Sequence, residues 1–408
     1  MLVKNLLPAF VAIGSAAAQS GTCSISGGTT TINSQADATG LASCRTVRGS
    51  VVIGRNAGPS IDISGPGEIT GDLKVADNGI IETLQSSDLA TIGGKFQLKN
   101  VTKLTSVSMA KLTAAKEIEW DTVTNIESVT LGPLSKVDDV RISITSLRNL
   151  DALDLGNVAN LKLDNNARLS KFSSNLRTLS KNLVLASNGI GGIGLEVELP
   201  NLVWAVELDI NNVTTFSVPS LKTVNGSARF GSNFFQSFSA PNLTATTSGD
   251  ISFIGNAKLT NATFPKLEAI AGGLTIANNT NLDELTGFPK LKSIGGAILL
   301  RGNFESVEMP ALDTVRGTFD ASSSADISAS CEAFDKLAPQ NQGGNGVIAG
   351  GYECTSNNTQ ANEDTDGSTS GNGGSGGSGD DKDNGAAGMA LNTALFAVIA
   401  IAGFAVAL

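Results

Sequence analysis

Triplets of the form apolar-x-apolar return every 20 to 25 residues along most of this 408-residue chain, and no other feature narrows the possible folds so far. The series runs Val51-Val52-Ile53, Leu73-Lys74-Val75, Phe96-Gln97-Leu98, Ile118-Glu119-Trp120, Val140-Arg141-Ile142 and Leu161-Lys162-Leu163. It continues through Leu183-Val184-Leu185, Leu208-Asp209-Ile210, Ala228-Arg229-Phe230, Ile251-Ser252-Phe253, Leu274-Thr275-Ile276 and Ile298-Leu299-Leu300, with a degenerate last copy at Thr318-Phe319. A unit of about 22 residues cannot bury a core by itself, so it is stable only when stacked on copies of itself. Length alone would suggest two or three domains; the period replaces them with one array.

Three residues after the second apolar position an asparagine recurs, at Asn56, Asn78, Asn166, Asn188, Asn233, Asn256, Asn279 and Asn303. Where a coil leaves its sheet, backbone amides and carbonyls face inward without a strand partner. A side-chain amide carries both the donor and the acceptor that satisfy them, and stacked copies form a ladder. A Pro-x-Leu step precedes the later triplets, at Pro200, Pro219, Pro241, Pro265, Pro289 and Pro310. Proline at that interval leaves no room for long helices, which excludes the strand-helix units of the ordinary leucine-rich horseshoe. Period, alternation and proline together predict an all-β fold, a right-handed parallel β-solenoid of about 12–13 rungs, with Trp120 and Phe253 in its core. Phe230, Phe234, Phe235 and Phe238 form the densest aromatic cluster, and Phe234 and Phe235 cannot both point inward from an extended strand.

The four cysteines flank the repeats, Cys23 and Cys44 before them and Cys331 and Cys354 after. In an exported chain they read as two disulfides, for which three connectivities exist. Pairing within each cluster closes the shorter loops and staples a cap at each end, where a solenoid exposes an unpaired edge.

Export itself is read from the first residues: Lys4, an apolar run from Leu6 to Ile13, then Ala16-Ala17-Ala18. At the other end Met389 to Leu408 is almost wholly apolar, with no Lys or Arg after it. A retained membrane span would usually carry basic residues on its cytoplasmic side, so the stretch reads instead as a GPI-attachment signal. Asn384 is the expected attachment residue, with Gly385 its main competitor. The predicted organisation is a signal peptide (1–18), an N-terminal cap (19–50), the solenoid (51–325), a C-terminal cap (326–355), a Gly/Ser/Asp-rich disordered stalk (356–384) and a removable tail (385–408). Trimming both ends removes only Lys4 from the formal charge of −10, and about half of what remains lies in residues 360–384.

The chain has no histidine. That removes Ser-His-Asp and Cys-His nucleophile systems, histidine metal ligands and imidazole proton transfer. The acidic balance excludes a nucleic-acid partner, which needs a basic footprint. Three motifs imitate chemistry. Gly189 to Gly194 spells G-x-G-x-x-G, with Asp209 at a plausible distance for a ribose contact, yet Pro200 follows and no helix opens there. Asn362-x-Asp364-x-Asp366-Gly367 begins like an EF-hand loop, but its twelfth position is Gly373, where a bidentate Glu is needed. Asp138-Asp139 is the best carboxylate pair for glycosidase-type chemistry, without the further acids and bases that β-helical pectin-degrading enzymes gather on one sheet. No catalytic, cofactor-binding or metal residue is assigned, and no cofactor is expected.

The units FPKLEAIAGGLTIANNTNL (Phe264 to Leu282) and FPKLKSIGGAILLRGN (Phe288 to Asn303), with the early Cys23, the Cys331 and Cys354 pair and the Gly/Ser-rich tail, resemble one known group. These are the fungal GPI-anchored cell-wall organisation proteins built from receptor L-domain (leucine-rich, β-helical) repeats, linked also to sporulation-specific wall proteins. The resemblance covers nearly the whole chain. It implies a glycoprotein of the plasma membrane and wall, needed for wall integrity, and it carries over no catalytic residues. The partners then expected are cell-wall polysaccharide or wall proteins, and the outer leaflet of the plasma membrane through the anchor. A carbohydrate-active β-helix enzyme and a sensor or adhesion ectodomain stay open as alternatives. Glycosylation sequons fall at Asn100, Asn212, Asn225, Asn242, Asn261, Asn278 and Asn357. Asn100, Asn212 and Asn278 share a register one residue before the ladder, which predicts glycans on one corner of the coil.

Overall fold

The computed structural model describes residues 21–190 and 193–362. Strands of successive turns pair in parallel, and the triplets meet in a single register. Val51 lies opposite Leu73, Leu73 opposite Phe96 and Phe96 opposite Ile118. The column continues through Val140, Leu161, Leu183, Leu208, Ala228, Ile251, Leu274 and Ile298 to Phe319. The result is a parallel β-solenoid of about 14 turns. At ~4.8 Å per stacked strand it is on the order of 65 Å long. It has more rungs than the sequence predicts because both caps feed strands into the same sheet. Thr22–Ile32 pairs with Thr46–Ile53, and Tyr352–Thr355 pairs with Phe319–Ser323.

Each turn is built from up to three short segments, for example Glu68–Ile69, Leu73–Ala76 and Thr83–Gln85. In some turns the first two fuse, as in Thr91–Lys99, where a register shift between Ile92 and Lys95 bends the strand. Period-2 alternation sends the first and third residue of each triplet into the core, where Trp120 and Phe253 are also buried. Phenylalanines stack through the later rungs: Phe230 on Phe253 with ring centroids 4.5 Å apart, and Phe264 on Phe288 at 5.0 Å. Phe235 and Phe238 join this core, whereas Phe234 stays half-buried beneath the Lys258 ammonium. The leucine of every Pro-x-Leu step is buried, its N–H donating to the carbonyl three residues back, as from Leu267 to Phe264. Met109 to Leu112 makes the same turn without proline, so the early rungs keep the geometry although they lack the mark.

At the corner after the second segment the chain takes a left-handed residue followed by an inward one. The left-handed positions are Asp77, Asn100, Thr122, Ile144, Asn165, Ser187, Asn212, Ser232, Gly255 and Asn278. The inward residue is the ladder asparagine in six turns: Asn78, Asn166, Asn188, Asn233, Asn256 and Asn279 are all buried. Asn256 Nδ2 donates to the Phe230 carbonyl and to Asn279 Oδ1, both at 3.0 Å, and Asn256 Oδ1 accepts from the N–H of Asn233 at 2.9 Å. Asn166 bridges to Asn188 and to the Ile142 carbonyl in the same way. Two of the eight expected members differ. Asn56 is exposed because Ala57 takes the inward place in its turn, and Asn303 is half-buried where the ladder runs out. Val101, Val123, Thr145 and Val213 fill the remaining corners.

Disulfides join Cys23 to Cys44 and Cys331 to Cys354, the local pairing. Helix α1 (Gln35–Thr39), capped by Ser34, closes the first end, and α2 (Ser328–Asp335) packs Phe334 onto Phe319 at the other. Tyr352 Oη donates to Asp335 Oδ1 at 2.7 Å; burial, followed by this hydrogen bond, holds the phenol well above its ordinary pKa. Residues 356–362, expected to begin the stalk, instead fold back on the cap. The N–H of Asn357 donates to Ala325, Asn358 Nδ2 to Ser322, Asn362 Nδ2 to Asn303, and Ala361 is fully buried. Backbone and side-chain amides in this stretch find partners that composition does not reveal. The signal segment, Asn384 and the apolar tail lie outside the described residues.

Candidate functional surface

Because the core consumes every inward residue, any recognition must come from the outward rows. The row over the middle segments is heavily charged in the first half. Lys95 pairs with Glu117 at 2.8 Å and with Glu119, Lys74 with Asp72 at 2.7 Å, and Arg141 with Asp121 at 3.4 Å. Burial alone would raise the pKa of Glu119, but hydrogen bonds from Lys95 and Gln97 outweigh it and hold the carboxyl below its ordinary value. The Lys95 ammonium is pushed up by the same contacts against its own burial. Asp72 is likewise lowered, its burial outweighed by Lys74 and the Lys95 backbone N–H. In the second half the equivalent positions Ser252, Thr275 and Leu299 are neutral, between Arg229, which pairs with Glu207 at 3.0 Å, and Asp320, which pairs with Arg301.

Two shallow grooves open on the first half. One, of about 440 Å³, runs past Lys116, Lys136 and Asp138; the other, of about 340 Å³, past Glu117, Asp139, Arg141 and Lys162. The Asp138-Asp139 pair is thereby split, one carboxylate lining each groove, and Asp139 already accepts from Asn160 Nδ2. Gly189 and Gly194 both adopt positive φ in a turn that leads into the strand Leu195–Glu198, so no helix N-terminus follows the glycine motif. Asn362 is engaged with Asn303, and the rest of the EF-hand-like stretch lies outside the described residues. Among the described residues no group of three or more Cys, Asp or Glu is placed to hold a metal ion.

The sequons divide by exposure. Asn100, Asn225, Asn261 and Asn357 are exposed, while Asn212, Asn242 and Asn278 are half-buried. Asn100, Asn212 and Asn278 do occupy one corner, all in the left-handed conformation. The side chain of Asn212 is already used there, accepting from the Ser187 N–H at 3.2 Å and donating to the Ser232 carbonyl at 3.4 Å. This corner is the signal that sequence reading missed: its residues share a conformation but not a residue type.

Fold and surface define a class, the disulfide-capped parallel β-solenoid with amide-laddered corners. Comparison with known proteins adds the family. The family described as Ecm33, GPI-anchored cell wall organization protein, matches over residues 1–42. The chain is 35% identical over 355 residues to protein ecm33 of Aspergillus fumigatus, spanning 86% of this chain and 85% of that one. It is 33% identical to a cell surface GPI-anchored protein of Arthroderma benhamiae, over 80% of this chain and 82% of the relative. With sporulation-specific protein 2 of Saccharomyces cerevisiae it shares 31% identity over 77% of this chain and 62% of the relative. No solved structure matches. The chain belongs to the Ecm33 family of GPI-anchored cell wall organization proteins.

Proposed function

We propose that this chain is a GPI-anchored glycoprotein of the outer cell surface that takes part in cell-wall organisation without catalysing a reaction. Its solenoid is held off the plasma membrane by the stalk and faces wall polysaccharide or wall proteins. The observation that carries this reading is relatedness over 86% of the chain to a protein of the Ecm33 family, together with a second relative named as GPI-anchored at the cell surface. The long, regular exterior suits a presenting role, and the separation of Asp138 from Asp139 speaks against the carbohydrate-active alternative. Asn384 receives the anchor, residues 363–384 serve as the stalk, and the exposed sequons Asn100, Asn225, Asn261 and Asn357 are occupied before the half-buried ones.

The test is release from intact cells. Phosphatidylinositol-specific phospholipase should free the membrane-resident protein, and glucanase any fraction joined covalently to the wall. Replacing Asn384 and Gly385 together by bulky residues should send the chain into the medium. Unchanged retention of that variant on cells would refute the anchor.

A further inference from the structure

We infer that Trp204 is the stacking platform of a docking site for a neutral, β-linked polysaccharide chain lying along the outer row of first strand segments. The inference rests on the wall-facing role proposed above and gives it a place and a ligand class.

The sequence holds two tryptophans, and the fold treats them oppositely. Trp120 is buried at 1% exposure, whereas Trp204 opens the strand Trp204–Asn211 and is only half-buried. Its neighbour Ala205 is fully buried, so alternation turns the indole outward. Parallel register sets it between Thr178 on the preceding rung and Thr223 on the following one. The same outward row continues through Ala245, Ala269, Ser293 and Thr314.

No member of that row from Thr178 to Thr314 is charged, in a chain of formal charge −10 whose parallel row over the middle segments is laced with ion pairs. The exposed charges beside it are of mixed sign, Arg177, Lys222 and Lys292 against Glu268 and Asp313, with Lys292 and Glu268 paired at 3.0 Å, so the strip offers a charged polymer no uniform track. A neutral polymer loses no ionic hydration there, and an indole face gives the apolar side of a pyranose ring a broad contact with few torsions to freeze. Thr178, whose hydroxyl donates to Asn157 Oδ1, and Thr223 are the indole's neighbours along the row. Strands recur every ~4.8 Å, close to the advance of one residue in an extended β-linked chain, so a polymer aligned with the solenoid meets an equivalent surface at each rung. One indole supplies orientation; repetition along the row supplies avidity.

One competing occupant is built into the chain. Asn225, a sequon, lies two residues beyond Thr223, so its own glycan would reach the same indole.

Tryptophan fluorescence of the full secreted chain isolates the site, because Trp120 is shielded in the core. Titration with laminarihexaose and with chitohexaose should give a saturable change in emission and in acrylamide quenching, the responding sugar distinguishing glucan from chitin. Trp204→Ala should abolish the response and weaken co-sedimentation with the corresponding insoluble polymer by about tenfold or more, while Trp204→Phe keeps much of the co-sedimentation. Unchanged circular dichroism and Trp120 emission would show that the variants fold. If native protein and Trp204→Ala co-sediment equally, the site is wrong and the wall-facing role stands. Native protein that binds neither polymer overturns the site and leaves the wall-facing role to wall proteins. A sugar response that appears only after Asn225→Gln or deglycosylation would mean the protein's own glycan holds the platform, and would also overturn the proposal.

Discussion

The turns from Leu73 to Val140 and those from Ala228 to Leu300 trace the same coil by different means. Both halves place a left-handed residue and then an inward one at the corner. In the second half the inward residues are Asn233, Asn256 and Asn279, which satisfy one another and the strand carbonyls. In the first half Asn78 alone supplies an amide, to the Gly54 and Ala57 carbonyls; the next three inward residues are Val101, Val123 and Thr145, and the left-handed residues include Thr122 and Ile144, whose β-branches make that conformation costly. The first half carries the denser outside cluster, Lys95 with Glu117 and Glu119, against the separate pairs Arg229–Glu207, Lys292–Glu268 and Arg301–Asp320 further on. Period and inward alternation therefore set the coil, while the means of holding the corner varies locally. The two halves should fail under different conditions.

The largest contrast is expected from truncating the corner. Asn256→Ala strips the Asn233 N–H of its acceptor and the Phe230 carbonyl of a donor, inside a buried ladder. At about 1–3 kcal/mol for each buried group left unpaired, it should destabilise these rungs by roughly 4 kcal/mol. Val123→Ala at the matching corner removes only apolar contacts and should cost about 1–2 kcal/mol. Native-state hydrogen exchange in Ile251–Ile254 and Ala114–Val123 reads both. Equal effects would mean that the ladder is decoration.

Next in size, replacing Cys331 and Cys354 by Ser should cost about 2–4 kcal/mol through the freed loop. Exchange should rise in Tyr352–Thr355 and the fold-back beyond it, leaving the middle rungs protected. Spread of the opening to the opposite end would show that the turns are not locally coupled.

Acid should separate the halves more gently. The carboxyls of Glu119 and Asp72 titrate below their ordinary values, so the stability they add is complete above the unfolded carboxylate range and is lost as pH falls through their lowered values. The amide ladder does not titrate. Lowering pH from about 5 to about 3 should therefore reduce protection factors, taken against the intrinsic exchange rate at each pH, a few-fold in Thr91–Lys99 and Ala114–Val123, with those of Ile251–Ile254 and Leu274–Ala277 unmoved. The smallest effect is a gain: Ile144→Asn, relieving an exposed β-branched residue at φ 54°, should stabilise the first half by about 1 kcal/mol.

Most of the coil was legible because it repeats. The triplets, the inward leucines after proline and the two local disulfides each follow from spacing and from what that spacing must bury. The corner was only half legible, since an amide ladder has one residue type while the left-handed position before it accepts Asp77, Asn100, Thr122, Ser187 and Gly255 alike. Asn56 was misplaced because its turn brings Ala57 inward instead. Residues 356–362 look like stalk by composition, and their order comes from partners such as Asn303 and Ser322 far away in sequence. Trp204 was missed because its direction depends on Ala205 being the inward residue, a register visible only once the rungs are aligned.

The claim that this solenoid presents a surface rather than a reaction is tested most directly by incubating the full secreted chain with insoluble wall glucan and chitin, following retention and new reducing ends together. The account predicts saturable retention on at least one polymer with no reducing ends above the blank. Steady release of reducing ends, abolished by Asp138→Asn or Asp139→Asn, would contradict it.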